Sequence, residues 1–165
     1  MVMSKIRIEI VALTLVVVSL GLVGCPQNTV YIQDQNLEKA IRLAIDKPYG
    51  LGLTQSDLLL LQRLDARGME IRSLDGLENC LNLFWLDLED NNISDISELT
   101  FLINLEYVNL DSNQVTDITP LAGLLYLDQV SLVGNQILDI SPLVANAKNG
   151  GLGAGNTVML DGAKI

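Results

Sequence analysis

The sequence predicts an α/β solenoid in which short parallel β-strands form the concave face and a small α-helical cap covers the N-terminal end. Three observations support this prediction. Apolar residues recur every 22 residues from residue 61 onward, and a helical pattern precedes the repeat. In addition, 49% of the 165 residues are hydrophobic, which is enough for a sizeable core.

Residues 1–24 are predicted to be a signal peptide. Lys5 and Arg7 precede an uncharged apolar run from Ile10 to Leu22, which is shorter than the ~20 residues that cross a bilayer. The run ends in "LVGC", which resembles the lipobox of bacterial lipoproteins. The resemblance implies a diacylglyceryl group on the Cys25 thiol and cleavage before this residue, so that residues 25–29 would be a lipidated N-terminus and spacer. An uncleaved anchor and an ordinary secretory signal are the alternatives.

Residues 30–60 are predicted to form the helical cap. Leu37, Ala40, Ile41, Ala44 and Ile45 have the spacing of one apolar helix face, and Asp34 is placed as the N-cap. Thr54 and Asp57 have the spacing of a capping box before a second short helix.

Residues 61–165 are predicted to be 22-residue repeats of the form LxxLxLxxNxIxDIxxL, the last of them incomplete. This is the form of a leucine-rich repeat. One coil cannot bury its own leucines, so successive coils must stack and match each other. We expect the repeated Asn91, Asn113 and Asn135 to bond to backbone groups inside the turn that follows each strand. The first coil has Met69 where this asparagine is expected.

The repeat becomes irregular after Leu143. Val158 and Leu160 fit one more strand that is displaced six residues by a glycine-rich insertion, and Ala163 stands where asparagine is expected. The run Gly150 to Gly155 lacks the Lys-Ser/Thr of a phosphate-binding loop, so we interpret it as a plain loop.

Composition argues against several functions. The chain has no histidine, which removes the usual general base and the commonest zinc ligand. Its net charge of −10 disfavours nucleic acid binding. We predict no catalytic residue, cofactor or metal site.

Two repeat-phase features invite a functional interpretation but have simpler ones. Cys80 aligns with the core positions Leu102 and Leu124, so a buried core residue is favoured over a redox or metal role. A column of aspartates is expected to cap the turns that follow rather than to bind calcium, which needs six to eight oxygens around one point. These residues are Asp95, Asp117 and Asp139.

The outward positions of the predicted strands are the candidate binding surface. Polar residues there are ordinary, but an exposed tryptophan beside an exposed tyrosine is less so, and both are common in interface hot spots. We expect Trp85 and Tyr107 to lie side by side between Arg63 and Gln129. An acidic rim formed by Asp87, Glu89 and Asp111 is expected next to them, and Asn109 is expected to face solvent. The predicted protein-binding residues are Arg63, Trp85, Asp87, Glu89, Tyr107, Asp111 and Gln129.

Residues 30 to 146 together resemble the internalin type of bacterial repeat protein, which has a small helical N-terminal cap and 22-residue units containing N-x-I-S-D-I-S-P-L. The resemblance implies an exported protein of the bacterial cell envelope or surface that binds an unknown protein on its concave sheet. With the lipobox, it predicts a membrane-anchored binding module. The alternatives are a structural envelope scaffold, a truncated remnant of a larger repeat protein and, least supported by the residues, an enzyme.

Overall fold

The structure is a computed structural model that describes residues 29–161. The predicted signal peptide, the lipidation site Cys25 and the irregular Ala163 lie outside these residues. Within 29–161, no helix is long and apolar enough to cross a membrane.

The N-terminal cap contains strand β1 (Thr29–Val30), helix α1 (Gln35–Ala44), strand β2 (Leu53–Thr54) and helix α2 (Gln55–Leu58). Strands β1 and β2 form an antiparallel pair that the sequence analysis did not predict. The capping box at Thr54 and Asp57 is confirmed, with both of its hydrogen bonds present.

Asp34 joins the cap to the first coil of the solenoid. One carboxylate oxygen accepts from the backbone amides of Asn36 and Leu37, which confirms Asp34 as the N-cap of α1. The other oxygen accepts from the Arg72 amide at 2.8 Å in the first coil. Opposite this contact, a Cβ at Gly76 would lie 2.7 Å from the Tyr31 carbonyl oxygen, so only glycine allows the cap to pack this closely.

Five parallel strands form the concave sheet in sequence order: β3 (Arg63–Asp65), β4 (Trp85–Asp87), β5 (Tyr107–Asn109), β6 (Gln129–Ser131) and β7 (Thr157–Met159). Each of the first four strands pairs with its neighbour at a register of 22 residues, as the repeat predicts. β7 pairs with β6 through Val130 and Val158, so the displacement by six residues is also confirmed.

The opposite side of the solenoid is built from short 3₁₀ helices at Leu77–Asn79, Ser97–Phe101 and Thr119–Gly123. Between these helices and the sheet, the consensus leucines, isoleucines and valines form one continuous core, most of it fully buried. Cys80 is a buried member of that core, as predicted.

The repeated asparagines tie each coil to the previous one. In Asn113, the side-chain carbonyl accepts from the Ile93 amide at 3.0 Å, and the side-chain amide donates to the carbonyl oxygens of Leu88, Leu110 and Asp111. Asn91 and Asn135 make the equivalent bonds one coil earlier and one coil later. We call these three residues the asparagine ladder. Its predicted role is confirmed.

A second column with the 22-residue spacing lies just before the asparagine ladder and was not predicted. At this position, each turn has a residue with a left-handed backbone, with φ between 54° and 76°. These residues are Gly68, Asp90, Ser112 and Gly134. The conformation therefore repeats even though the residue type does not.

Near its C-terminal end the solenoid departs from the repeat. The position of the fourth short helix is taken by a longer α-helix, α3 (Ser141–Lys148), which the sequence analysis missed. Its Asn146 is fully buried and donates to the carbonyl oxygens of Leu121 and Leu124, while accepting from the Leu152 amide. The glycine-rich segment that follows is a loop, as predicted, and leads into β7.

Candidate functional site

Four side chains form a row across the concave sheet, one from each of strands β3 to β6. Arg63, Trp85, Tyr107 and Gln129 are register partners, so they lie side by side as predicted. The rings of Trp85 and Tyr107 stack with centroids 4.9 Å apart and planes 8° from parallel. This separation matches the spacing of parallel strands, so the sheet itself holds the rings in contact.

Arg63 extends the aromatic stack at one end. Its guanidinium carbon lies 4.3 Å from the centroid of the Trp85 ring, which is a cation–π contact. Trp85 therefore has Arg63 on one face and Tyr107 on the other. Because Trp85 and Tyr107 are half-buried on the concave sheet and not buried between coils, the central geometric prediction is confirmed.

Asp87 does not belong to an exposed acidic rim, and that prediction is wrong. Only 4% of Asp87 is exposed. Its Oδ1 accepts from the Glu89 amide two residues later at 3.1 Å, so the side chain folds back onto its own strand end. Asp65 and Asn109 make the same bond in the neighbouring coils. The position is thus partly a structural feature of the turn.

Asn109 was expected to face solvent, and this prediction is also wrong. It is buried: its side-chain oxygen accepts from the Asp111 amide two residues later, and its side-chain amide donates to the Glu89 carboxylate of the previous coil at 3.3 Å.

Glu89 and Asp111 are half-buried and are the accessible members of the predicted acidic rim. Asp111 is held in place by Ser131, whose hydroxyl donates to Oδ1 at 2.6 Å, and by the Val133 amide at 2.7 Å. Glu89 contacts the β5 side of the face through Asn109. Glu89 thus lies between the coils of β4 and β5, and Asp111 lies between the coils of β5 and β6.

The positive charges of the face are largely used internally. Arg67 makes two hydrogen bonds with Asp65, and its Nε lies 3.7 Å from Oδ2 of Asp87. Burial raises the pKa of the Asp87 carboxyl despite the Glu89 amide, the Arg67 guanidinium and the Asn109 side chain, which act in the opposite direction.

The Tyr107 hydroxyl reports the electrostatic character of the site. Burial raises its pKa, and the negative charges of Asp87, Asp111 and Glu89 raise it further. The free side of the aromatic stack therefore lies in a negative field.

A shallow groove connects this face to the cap. It runs between helix α1 and strands β3 and β4, and its lining residues are Ala40, Leu43, Ala44, Arg63, Asp65, Met69 and Trp85. Leu43 is largely exposed at its edge. That the cap lines part of this groove was not predicted, because the helical pattern does not show which end of α1 approaches the sheet.

The aspartate column and Cys80, for which structural roles were predicted, have those roles in the structure. Asp95, Asp117 and Asp139 accept from the amides of Ser97, Thr119 and Ser141, so each caps the turn that follows it. Burial raises the pKa of the Cys80 thiol to about 12, which leaves it protonated and unreactive at neutral pH. Among residues 29–161, no group of three or more acidic, cysteine or histidine side chains has a geometry that would hold a metal ion.

Comparison with known proteins agrees with this architecture. Residues 81–123 match the family model described as Leucine Rich repeats (2 copies). Among solved structures, internalin InlF from Listeria monocytogenes is similar to 80% of the chain with 29% sequence identity and a TM-score of 0.71. Both findings confirm the leucine-rich repeat fold and the resemblance to internalins.

Two other similar structures have lower TM-scores. Internalin C2 from Listeria monocytogenes has 24% identity over 82% of this chain, with a TM-score of 0.40. A Clostridium perfringens ZmpB structure containing CBM51-2 and INT domains has 28% identity over 55% of this chain, with a TM-score of 0.49. The present chain spans 44% of the InlF chain. A search of curated proteins finds no match.

Proposed function

We propose that this protein is a binding module whose concave face recognises another protein, with the Arg63–Trp85–Tyr107 stack at the centre of the contact. The stack is the observation that carries the proposal. Two aromatic rings and a guanidinium, held in fixed positions by strand register, are partly exposed on a sheet whose other side is a closed core. Such preorganised aromatic and arginine groups have the chemistry of interface hot spots.

The surroundings of the stack support binding rather than catalysis. The nearby carboxylates are occupied with backbone amides, Arg67, Ser131 or Asn109, and Asp65 is paired with Arg67. General acid–base catalysis needs a carboxylate within hydrogen-bond reach of the proton that is transferred. The groups here instead fix the shape and the charge of a surface.

The most direct test of the surface is site-specific photo-cross-linking. A benzoylphenylalanine residue at Gln129, which is exposed at the end of the row, should capture a defined partner in the cell envelope. The same residue at Glu106, exposed on a different side of the coil, should not. The purified partner should then lose affinity when Trp85→Ala is introduced. Equal capture from both positions, or full affinity of Trp85→Ala, would place the binding surface elsewhere and favour a purely structural role.

We further propose that the protein is exported and held at a bacterial membrane by lipid on Cys25. The support is the sequence "LVGC" after a basic segment and an uncharged apolar run. A diacylglyceryl group supplies two acyl chains, and two chains anchor stably where a single chain binds only marginally. The anchor would leave the acidic solenoid facing away from an anionic bilayer.

Cys25→Ser tests the anchor separately from the binding surface. The variant should either leave the membrane fraction or accumulate as an uncut precursor. Normal processing and unchanged membrane partition would exclude lipidation at this residue. The cross-linking pattern at Gln129 would be unaffected by that result.

A further inference from the structure

The aromatic stack on the concave face has two different ends. At the Trp85 end, the chain supplies its own guanidinium from Arg63, at 4.3 Å from the ring centroid. At the Tyr107 end, the register partner is the exposed and neutral Gln129. Among residues 29–161, the cation–π contacts of the chain involve Tyr49 and Trp85 but not Tyr107.

Two half-buried carboxylates lie near the Tyr107 side chain. Glu89, from the coil of Trp85, reaches β5 through Asn109, and Asp111, from the coil of Tyr107, reaches β6 through Ser131. Both are close enough to raise the pKa of the Tyr107 hydroxyl. Asp87 lies behind them, almost fully buried. Its Oδ2 has Arg67 Nε at 3.7 Å, which is beyond hydrogen-bond distance, so the Arg67 guanidinium is held mainly by Asp65.

We infer that the Tyr107 end of the stack receives an arginine side chain of the partner, with its guanidinium against the tyrosine ring and its N–H groups donating to Glu89 and Asp111. This inference rests on the proposed function and specifies the partner as a protein with an exposed basic segment. The arrangement would mirror the one that Arg63 makes with Trp85 in the same row.

Arginine fits this end better than lysine does. A guanidinium is planar, so it stacks on an aromatic ring while its N–H groups point outward in the ring plane. An ammonium group is compact and strongly hydrated, so it gains less from the ring. The net charge of −10 adds a field that attracts any basic segment, but this field does not distinguish arginine from lysine. The distinction therefore depends on the local geometry at Tyr107.

The test uses the full chain and three acetylated, amidated tetrapeptides of arginine, lysine or citrulline. Citrulline has nearly the shape of arginine without its charge. Trp85 is the sole tryptophan, so its single indole NMR signal reports the stack directly. Tetra-arginine should shift the signals of Trp85 and of strands β5 and β6 saturably in about 0.15 M salt, with at least a roughly 5-fold lower Kd than tetra-lysine. Tetra-citrulline should leave them unshifted.

A matched pair of variants separates the site from the general charge of the protein. Glu89→Gln should weaken tetra-arginine binding by about 5-fold or more, because it removes one of the two accessible carboxylates. Glu106→Gln removes the same charge from a different side of the coil and should change the Kd by less than about 2-fold. Circular dichroism of both variants should match that of the unmodified chain.

Three results would overturn the inference: no saturable shift, equal affinity for the arginine and lysine peptides, or equal weakening by the two variants. Each is distinct from failure of the proposed function. If the partner cross-linked at Gln129 still loses affinity with Trp85→Ala, the concave face binds a protein and only the arginine assignment is wrong.

Discussion

The asparagine ladder and the row of concave side chains have the same 22-residue spacing but opposite sequence behaviour. The ladder places the same residue in the same environment three times, at Asn91, Asn113 and Asn135. The side-chain hydrogen bonds of these residues go to backbone atoms of their own or the previous coil. The concave row places Arg63, Trp85, Tyr107 and Gln129 in equivalent positions. Coil-to-coil fit demands repetition, whereas the sheet surface tolerates variation. The proposed binding residues therefore lie at positions that coil-to-coil fit does not fix.

The largest effect that separates the two regions is expected at the centre of the asparagine ladder. Asn113→Ala removes the acceptor of the Ile93 amide and the donor to three carbonyl oxygens. Because these groups are buried, we expect the free energy of unfolding to fall by about 3 kcal/mol. Denaturant unfolding with an unchanged slope would measure the loss.

Asn92→Ala is the control for this prediction. Asn92 directly follows the ladder residue Asn91 of the previous coil, but it is exposed, and its side chain makes only a 3.5 Å contact with Gln114. Its replacement should change stability by less than about 0.5 kcal/mol. Equal losses at both positions would contradict the structural role assigned to the ladder.

A smaller change in stability, of opposite sign, is expected at the left-handed position of the turn. The backbone conformation repeats there, but the residue type does not. Ser112 has φ of 54°, whereas Gly134 in the next coil has φ of 76°. A left-handed backbone costs a residue with a side chain more than it costs glycine. Ser112→Gly should therefore raise the free energy of unfolding by about 0.5 to 1 kcal/mol in a thermal or denaturant melt.

The reverse substitution tests the same idea in the next coil. A Cβ at Gly134 would lie 3.1 Å from the Ser112 amide nitrogen, so Gly134→Ser adds crowding to backbone strain. It should destabilise the protein by about 1 kcal/mol or more. A stabilising Gly134→Ser together with a destabilising Ser112→Gly would show that backbone strain does not control these turns.

The smallest predicted difference concerns carboxyl titration. The Ser141 backbone amide and hydroxyl lower the pKa of Asp139 in the repeat turn, whereas burial raises the pKa of Asp87 on the concave face. The stabilising contribution of Asp139 is present above the unfolded pKa of about 3.9 and is lost as pH falls below it. For Asp87 the sign is opposite, since stability falls as pH rises from about 3.9 through its native pKa. A carbon-detected NMR titration should give Asp87 a higher pKa than Asp139. The reverse order would contradict the environments assigned to the two carboxyl groups.

The repeat could be predicted from the sequence because it is a local pattern that must match itself. Strand register, the leucine core, the asparagine ladder and the position of Val158 all follow from the spacing. The side chains of Asp87 and Asn109 could not be placed in this way. Both side chains accept from a backbone amide in the turn that follows their strand, and the alternation of the strand does not predict this bond.

The ends of the solenoid were less predictable for a related reason. Helix α3 occupies the position of a shorter repeat element, and its buried Asn146 bonds to Leu121 and Leu124 through contacts that no other coil repeats. The pairing of Thr29–Val30 with Leu53–Thr54 joins two-residue strands that are too short to leave an alternating pattern. Each of these two features occurs once among the described residues, so the 22-residue period does not predict them.

The most direct test of the separation between fold and recognition measures two quantities on two variants, using the partner captured at Gln129. Trp85→Ala should raise the Kd by about 30-fold and lower the free energy of unfolding by only about 1 kcal/mol. Asn113→Ala should do the reverse, losing about 3 kcal/mol of stability while the folded protein keeps its Kd within about 3-fold. Wild-type affinity in Trp85→Ala, or an equal loss of affinity in both variants, would contradict the account.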